Sequence, residues 1–127
     1  MPLTTFIDGA ESKSIVTAQT IIKSGTGLSS PLYVGDCLSA VGFISPDGWN
    51  PATLYFQAAP DGVNWMYIAN NTGSLYNLVT MVPNYFYALS LTTFMPWRWI
   101  RVTSGAAGSP TNQSATRVFT FLLRALA

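Results

Sequence analysis

The chain has 127 residues, which suits a single domain, and a composition of 49% hydrophobic and 13% aromatic residues argues against intrinsic disorder. Charged residues make up only 9%, and the six basic residues are scattered without a run, which argues against nucleic-acid binding. With so little charge, the surface is expected to be covered largely by partner subunits; the alternative is a surface solvated by Ser, Thr, Asn and Gln.

The predicted strands follow one another along the chain, separated by Gly, Pro, Asp and Asn. Short strands without a convincing amphipathic helix predict an all-β fold, an antiparallel β-sandwich (jelly roll) of about eight strands. One domain is expected over residues 1–127, with an extended N-terminal arm over residues 1–13. The predicted strands are Ser14–Lys23, Leu32–Ile44 with a possible interruption at Gly35-Asp36, Thr53–Ala58, Trp65–Ala69, Leu75–Val82, Tyr85–Leu91, Trp97–Thr103 and Ala115–Leu126.

Period-two alternation selects the residues expected between the two sheets. Leu54 and Phe56 share one side of their strand, and Ile100 and Val102 share one side of theirs. Trp65, just after the Pro60-Asp-Gly62 turn, is expected to pack in the core and close one end of the sandwich. These five side chains are the predicted core markers.

The cysteine content and the N-terminal sequence bear on the cellular compartment. Cys37 is the single cysteine, so no internal disulfide is available, and it is interpreted as a small buried hydrophobe. The first residues lack the basic region and apolar core of a signal peptide, and no apolar run approaches the roughly 18 residues of a membrane helix. Synthesis in a reducing cytoplasm without membrane insertion is expected.

The sequence offers little catalytic chemistry. It contains no histidine, which rules out Ser-His-Asp and Cys-His pairs and His-based metal sites. Asp47 and Asp61 each precede a glycine in a turn, where a carboxylate is expected to cap local N–H groups. The chain is therefore interpreted as a non-enzyme with no catalytic residue, cofactor or metal site.

Two segments are candidate partner interfaces. Trp97, Trp99 and Arg101 alternate on the face of their strand that points away from the predicted core, and Trp and Arg are enriched at interface hot spots. A neighbouring loop of the same chain or a bound sugar are the alternative covers for this face. Phe6 and Ile7 lie in the arm segment Pro2–Ala10, which is expected to become ordered against a neighbour. An edge strand of the chain's own sheet is the alternative for this segment.

A resemblance to a known class of proteins adds to this interpretation. The segments that carry it are Phe43–Trp49, Ala52–Gln57, Pro60–Trp65, Trp97–Gly105 and Pro110–Gln113. They resemble small structural proteins of tailed bacteriophages, and the spacing of Asp-Gly, Trp and Arg is similar to that of discoidin-type jelly rolls.

The resemblance implies a virion protein made in the host cytoplasm, most specifically a capsid decoration (cement) protein on the capsid surface. Its implied partners are the major capsid protein and copies of itself, as a dimer or trimer, with no nucleic acid and no membrane. Two alternatives remain open: a receptor- or glycan-binding module of a tail fibre or spike, and a head–tail connector component.

Overall fold

A computed structural model describes residues 15–35, 37–69, 72–89, 98–105 and 109–125, with the side chain of Leu38 excepted. The predicted arm lies outside these ranges. The described residues form nine strands and no helix. The strands are β1 (Ile15–Ile22), β2 (Leu32–Tyr33), β3 (Cys37–Ile44), β4 (Leu54–Ala58), β5 (Met66–Tyr67), β6 (Asn77–Leu78), β7 (Phe86–Ala88), β8 (Trp99–Ser104) and β9 (Arg117–Ala125).

Two antiparallel sheets confirm the predicted all-β sandwich. The four-stranded sheet has the order β1-β9-β3-β7, and the five-stranded sheet has the order β2-β8-β4-β5, with β6 also paired to β4. The first and last strands therefore lie side by side, and β1 to β4 alternate between the sheets. Such pairing of distant segments is decided by the tertiary fold rather than by local pattern.

Several predicted strands are shorter in the structure. The run Leu32–Ile44 is divided into β2 and β3, which belong to different sheets. The possible interruption at Gly35-Asp36 is thus confirmed, and the Cys37 N–H donates to the Val34 carbonyl oxygen at 3.0 Å across that turn. The strands predicted over Leu75–Val82 and Tyr85–Leu91 are shortened to β6 and β7. Between them, Asn84 adopts a left-handed φ of 60°.

The core lies between the inner faces of the two sheets. Leu54, Phe56, Ile100 and Val102 are all buried, which confirms the alternation predicted for β4 and β8. Phe43 of β3 lies at the centre, with ring centroids 5.8 Å from Phe56, 5.8 Å from Phe119 and 5.5 Å from Phe121. Aromatic contacts of this kind add to the free energy gained by burying the rings.

A buried polar cluster joins the loop before β4 to the segment that leads into β9. Gln113 is fully buried, and its side-chain Oε1 accepts from the Asn50 N–H at 2.8 Å and from Arg117 Nε at 3.1 Å. Its Nε2 donates to the Asn50 carbonyl oxygen at 3.2 Å. Asn50 Oδ1 in turn accepts from the Ser114 N–H at 2.8 Å. Satisfied polar groups of this kind fix one arrangement of neighbouring loops.

The two turn carboxylates differ in what they bind. Asp61 Oδ1 accepts from the Val63 and Asn64 N–H groups at 2.9 and 2.8 Å, as predicted for a capping side chain. Asp47 Oδ1 instead accepts from Asn84 Nδ2 at 2.8 Å, a contact between distant loops.

Candidate partner interface

The outward side chains of the five-stranded sheet form a surface that we call the aromatic–arginine face. On β4 and β8, its members are the residues that alternate with the core residues and therefore point to the opposite side of the sheet. The strand register places them in rows. The rows are Tyr33 and Trp99, then Arg101, Gln57 and Tyr67, then Thr103, Tyr55 and Asn77. Aromatic, amide and guanidinium groups therefore lie next to one another across five strands.

Arg101 is fixed at the centre of this face. Its Nε donates to Gln57 Oε1 at 2.7 Å, and its guanidinium carbon lies 4.1 Å from the centre of the Trp65 ring. The Arg101 pKa is lowered, chiefly because burial disfavours the charged form. The cation–π contact and the charge-assisted hydrogen bond hold the guanidinium against the sheet. Its Nη1 and Nη2 atoms make no hydrogen bond within the described part of the chain.

Tyr67 extends the central row beyond Gln57. Its pKa is raised, chiefly by burial, and a hydrogen bond from the Gln57 side chain acts in the opposite direction. The Tyr67 ring packs edge-on against Tyr55, with centroids 5.7 Å apart. Gln57, which contacts both Arg101 and Tyr67, therefore connects the cation to the aromatic end of the face.

Tyr33 and Trp99 form the other end of the face. Their ring centroids lie 4.9 Å apart in an edge-to-face arrangement, and Tyr33 is exposed. The turn before β5 closes against the indole, because a Cβ added at Gly62 would lie 3.1 Å from Trp99 Nε1. Gly62 also has a φ of 77°, a conformation that glycine adopts readily. The glycine thus permits the turn to contact the Trp99 edge.

The structure places two of the predicted interface residues together. Trp99 and Arg101 both lie on the aromatic–arginine face, whereas Phe6, Ile7 and Trp97 lie outside the described residues. The expectation for Trp65 was wrong. Trp65 is only partly buried and contacts Arg101 instead of joining the core, because the pairing of β8 with β4 brings the Arg101 guanidinium over the Trp65 ring.

Sequence reasoning missed Tyr33 and Gln57 as members of this face. Tyr33 belongs to a two-residue strand, too short to show alternation, and its position opposite Trp99 comes from long-range pairing. Gln57 alternates with Leu54 and Phe56 in the expected way, so its outward direction was available from the sequence. Its contact with Arg101 depended on the pairing of β4 with β8, which no local pattern encodes.

A second surface, the outer side of the four-stranded sheet, was also missed. We call it the apolar face. Its large exposed side chains are Ile15 at 45%, Ile44 at 41%, Phe86 at 50% and Val118 at 37% relative exposure, with Ile21 and Leu122 partly buried beside them. In the strand register Ile44, Phe86 and Val118 lie towards one end of this face and Ile15 lies at the other, with Thr17, Gln19 and Thr120 between them. Exposed apolar clusters are a feature of interaction surfaces.

Charge is sparse on the apolar face. By the register of β1, β9 and β3, Arg124 is its only charged member among the described residues; the other polar members are Thr17, Gln19, Ser39 and Thr120. Phe86 pairs with Ile44 of β3, and its ring extends to Gly42, where an added Cβ would overlap it. The absence of a side chain at Gly42 makes room for the Phe86 ring.

Comparisons with known proteins identify no relative of this chain: no family model, curated protein or solved structure matches it. Within the described ranges, no helix is long and apolar enough to cross a membrane.

Proposed function

We propose that this chain is a non-enzymatic virion structural protein, a capsid decoration protein that binds and stabilises a shell of major capsid protein at the capsid surface. The observation that carries the proposal is the aromatic–arginine face. It presents Trp99, Tyr33 and Arg101 in one continuous surface, and these residue types dominate the binding energy of protein interfaces.

The order of the strands supports the same proposal. With the short β6 set aside, eight strands form two sheets of order β1-β9-β3-β7 and β2-β8-β4-β5, an order compatible with the proposed jelly roll. Jelly rolls occur in viral capsid and lectin domains. One fold can serve many functions, so the strand order supports the proposal by analogy. The main support for the proposal is the aromatic–arginine face.

The expected mechanism is binding to the assembled shell without chemical conversion. A protein that binds the assembled state but not free subunits shifts the equilibrium towards assembly by mass action. The described carboxylates fit a structural role, because Asp61 and Asp47 are engaged in turn and loop hydrogen bonds. The absence of histidine from the sequence supports a non-enzymatic role as well.

The direct test is to bind the purified protein to capsids that lack it and measure attachment by sedimentation. Trp99→Ala and Arg101→Ala are expected to weaken attachment by roughly tenfold or more, the effect of losing a hot-spot side chain. Lys23→Ala is the control, because it removes an exposed positive charge that lies away from the aromatic–arginine face. Lys23 directly follows β1, a strand of the four-stranded sheet. Each variant is first shown to be folded by circular dichroism.

The position of the chain in the intact particle distinguishes a capsid decoration protein from a tail fibre, spike or connector protein. Electron microscopy of the intact virion is expected to place the chain on the outer surface of the head. Density at the tail fibre, spike or connector, or no density in the virion, would contradict the decoration role.

Glycan binding is the second candidate, and the same face favours it. Exposed aromatic rings stack on sugars, and the Arg101 Nη atoms, which bond no described residue, suit hydroxyl or carboxylate oxygens. The test is tryptophan fluorescence with a panel of neutral and acidic oligosaccharides. Saturable quenching that Trp99→Ala abolishes would support a receptor-binding module over a decoration protein.

A further inference from the structure

The apolar face needs a cover that the described residues do not supply. Ile44, Val118 and Phe86 lie exposed on it, and Arg124 is its only described charge. Leaving such a surface in water costs about 25 cal/mol for each Å² of apolar area. A segment that offers apolar side chains and a negative charge would match it.

Residues 1–14 directly precede Ile15, the first residue of the apolar face. They lead directly into Ile15, which pairs with Arg124 at the end of the edge strand β1. A fully extended segment of this length spans roughly 45 Å, whereas crossing the four strands of the face takes only about 14 Å. The segment is thus long enough to cover the apolar face of this copy or of a neighbour.

The composition of the segment complements the face. Leu3, Phe6 and Ile7 supply apolar side chains, and Asp8 and Glu11 supply carboxylates that can pair with Arg124. Lys13, close to Ile15, is the one basic side chain of the segment.

Chain geometry favours a neighbouring copy over the chain's own sheet. Ile15 pairs with Arg124, whereas Val118 lies at the opposite end of β9 and Ile44 and Phe86 lie towards that same end, far from the point where the segment joins the sheet. To cover these residues in its own copy the segment would have to turn back at β1 and run along the sheet, whereas it can reach the same residues of a neighbouring copy without a reversal.

We propose that residues 1–14 of one copy of this chain lie on the apolar face of a second copy, with Phe6 and Ile7 against Ile44, Phe86 and Val118. Reciprocal exchange closes a small symmetric oligomer. The inference rests on the proposed function in one respect, that the protein binds other subunits, and it names a copy of the chain as one of them.

The first test is oligomeric state, measured for the full chain by light scattering across a concentration series. The full chain is expected to be a dimer or trimer. Phe6→Ser combined with Ile7→Ser, and separately Val118→Lys, should each give a monomer that melts cooperatively. Val63→Lys is the matched control, because Val63 is 75% exposed outside the apolar face, and it should leave the oligomer intact.

The second test places the contact by disulfide trapping. Phe6→Cys and Val118→Cys are made on separate molecules in a Cys37→Ser background and mixed under mild oxidation. A covalent heterodimer is expected. A full chain that is monomeric overturns the inference. A disulfide that forms only when Phe6→Cys and Val118→Cys are combined in one molecule overturns it as well.

Capsid attachment separates this inference from the proposed function. A monomeric chain that still attaches to capsids through Trp99 and Arg101 overturns the exchange and leaves the decoration role standing. An oligomer that is held by residues 1–14 but does not attach to capsids supports the exchange and overturns the decoration role.

Discussion

Arg101 and Gln57 face each other across β8 and β4, and Arg101 Nε donates a 2.7 Å hydrogen bond to Gln57 Oε1. Gln57 is only 9% exposed although it lies on the outer side of the sheet. Losing the Arg101 donor therefore removes the partner of a largely buried acceptor, which costs more than losing an exposed contact. The stability of the sheet and the shape of the aromatic–arginine face are linked through this pair.

A double-mutant cycle tests that link. Arg101→Leu is expected to lower the free energy of unfolding by about 1–2 kcal/mol, and the double change with Gln57→Leu should recover part of the loss, giving a coupling of about 1 kcal/mol. Urea denaturation supplies the measurements. The control cycle of Arg101→Leu with Val63→Ala should show no coupling, and equal values in the two cycles would contradict the prediction.

The core assignment predicts the effect of truncating its central rings. Phe56→Ala should lower the free energy of unfolding by about 3–5 kcal/mol, because it removes a buried ring that contacts Phe43 and Tyr76. Val63→Ala, at an exposed site, should change it by less than about 0.5 kcal/mol. A loss below about 1 kcal/mol for Phe56→Ala would show that the site is not rigidly packed.

The buried amide of Gln113 predicts a polar contribution to stability. Gln113→Leu keeps much of the volume but leaves the Asn50 N–H and the Arg117 Nε–H without their acceptor. We expect a loss of about 2–4 kcal/mol in thermal or urea unfolding. Asn112→Leu, at the exposed neighbouring position, is the matched control. Similar losses in both variants would indicate a general effect of leucine in this loop.

Asp61 predicts a small dependence of stability on acid pH. The hydrogen bond from the Asn64 N–H, with that from Val63, lowers the Asp61 pKa below the ordinary value of 3.8. A lowered folded-state pKa means that the stabilisation is present above about pH 4 and is lost as the pH falls through the folded value. The carboxyl chemical shift, followed by NMR titration, should report a midpoint below 3.8. A midpoint at or above the ordinary value would contradict the capping role.

Removal of divalent metal ions is expected to leave the melting temperature unchanged. Asp47 and Asp61 lie in separate turns and are engaged by amide donors. The measurement is thermal unfolding with and without a chelator. A drop of several degrees that added calcium reverses would reveal an oxygen-ligated ion instead.

The sequence alone determined the all-β class and much of the local pattern. Alternation along β4 and β8 predicted that Leu54, Phe56, Ile100 and Val102 point inward and that Trp99 and Arg101 point outward. These predictions succeed because the side chains of a strand alternate with a period of two, a property of the local backbone.

Only the tertiary structure decided which strands are neighbours. The pairing of β1 with β9 and of β4 with β8 joins residues far apart in the chain, and it created both the apolar face and the Arg101–Gln57 contact. Trp65 was misassigned for the same reason, since the partner that holds it, Arg101, is brought close by long-range pairing. Local pattern fixes the direction of a side chain, whereas its neighbours depend on which strands pair, and many pairings satisfy the same alternation.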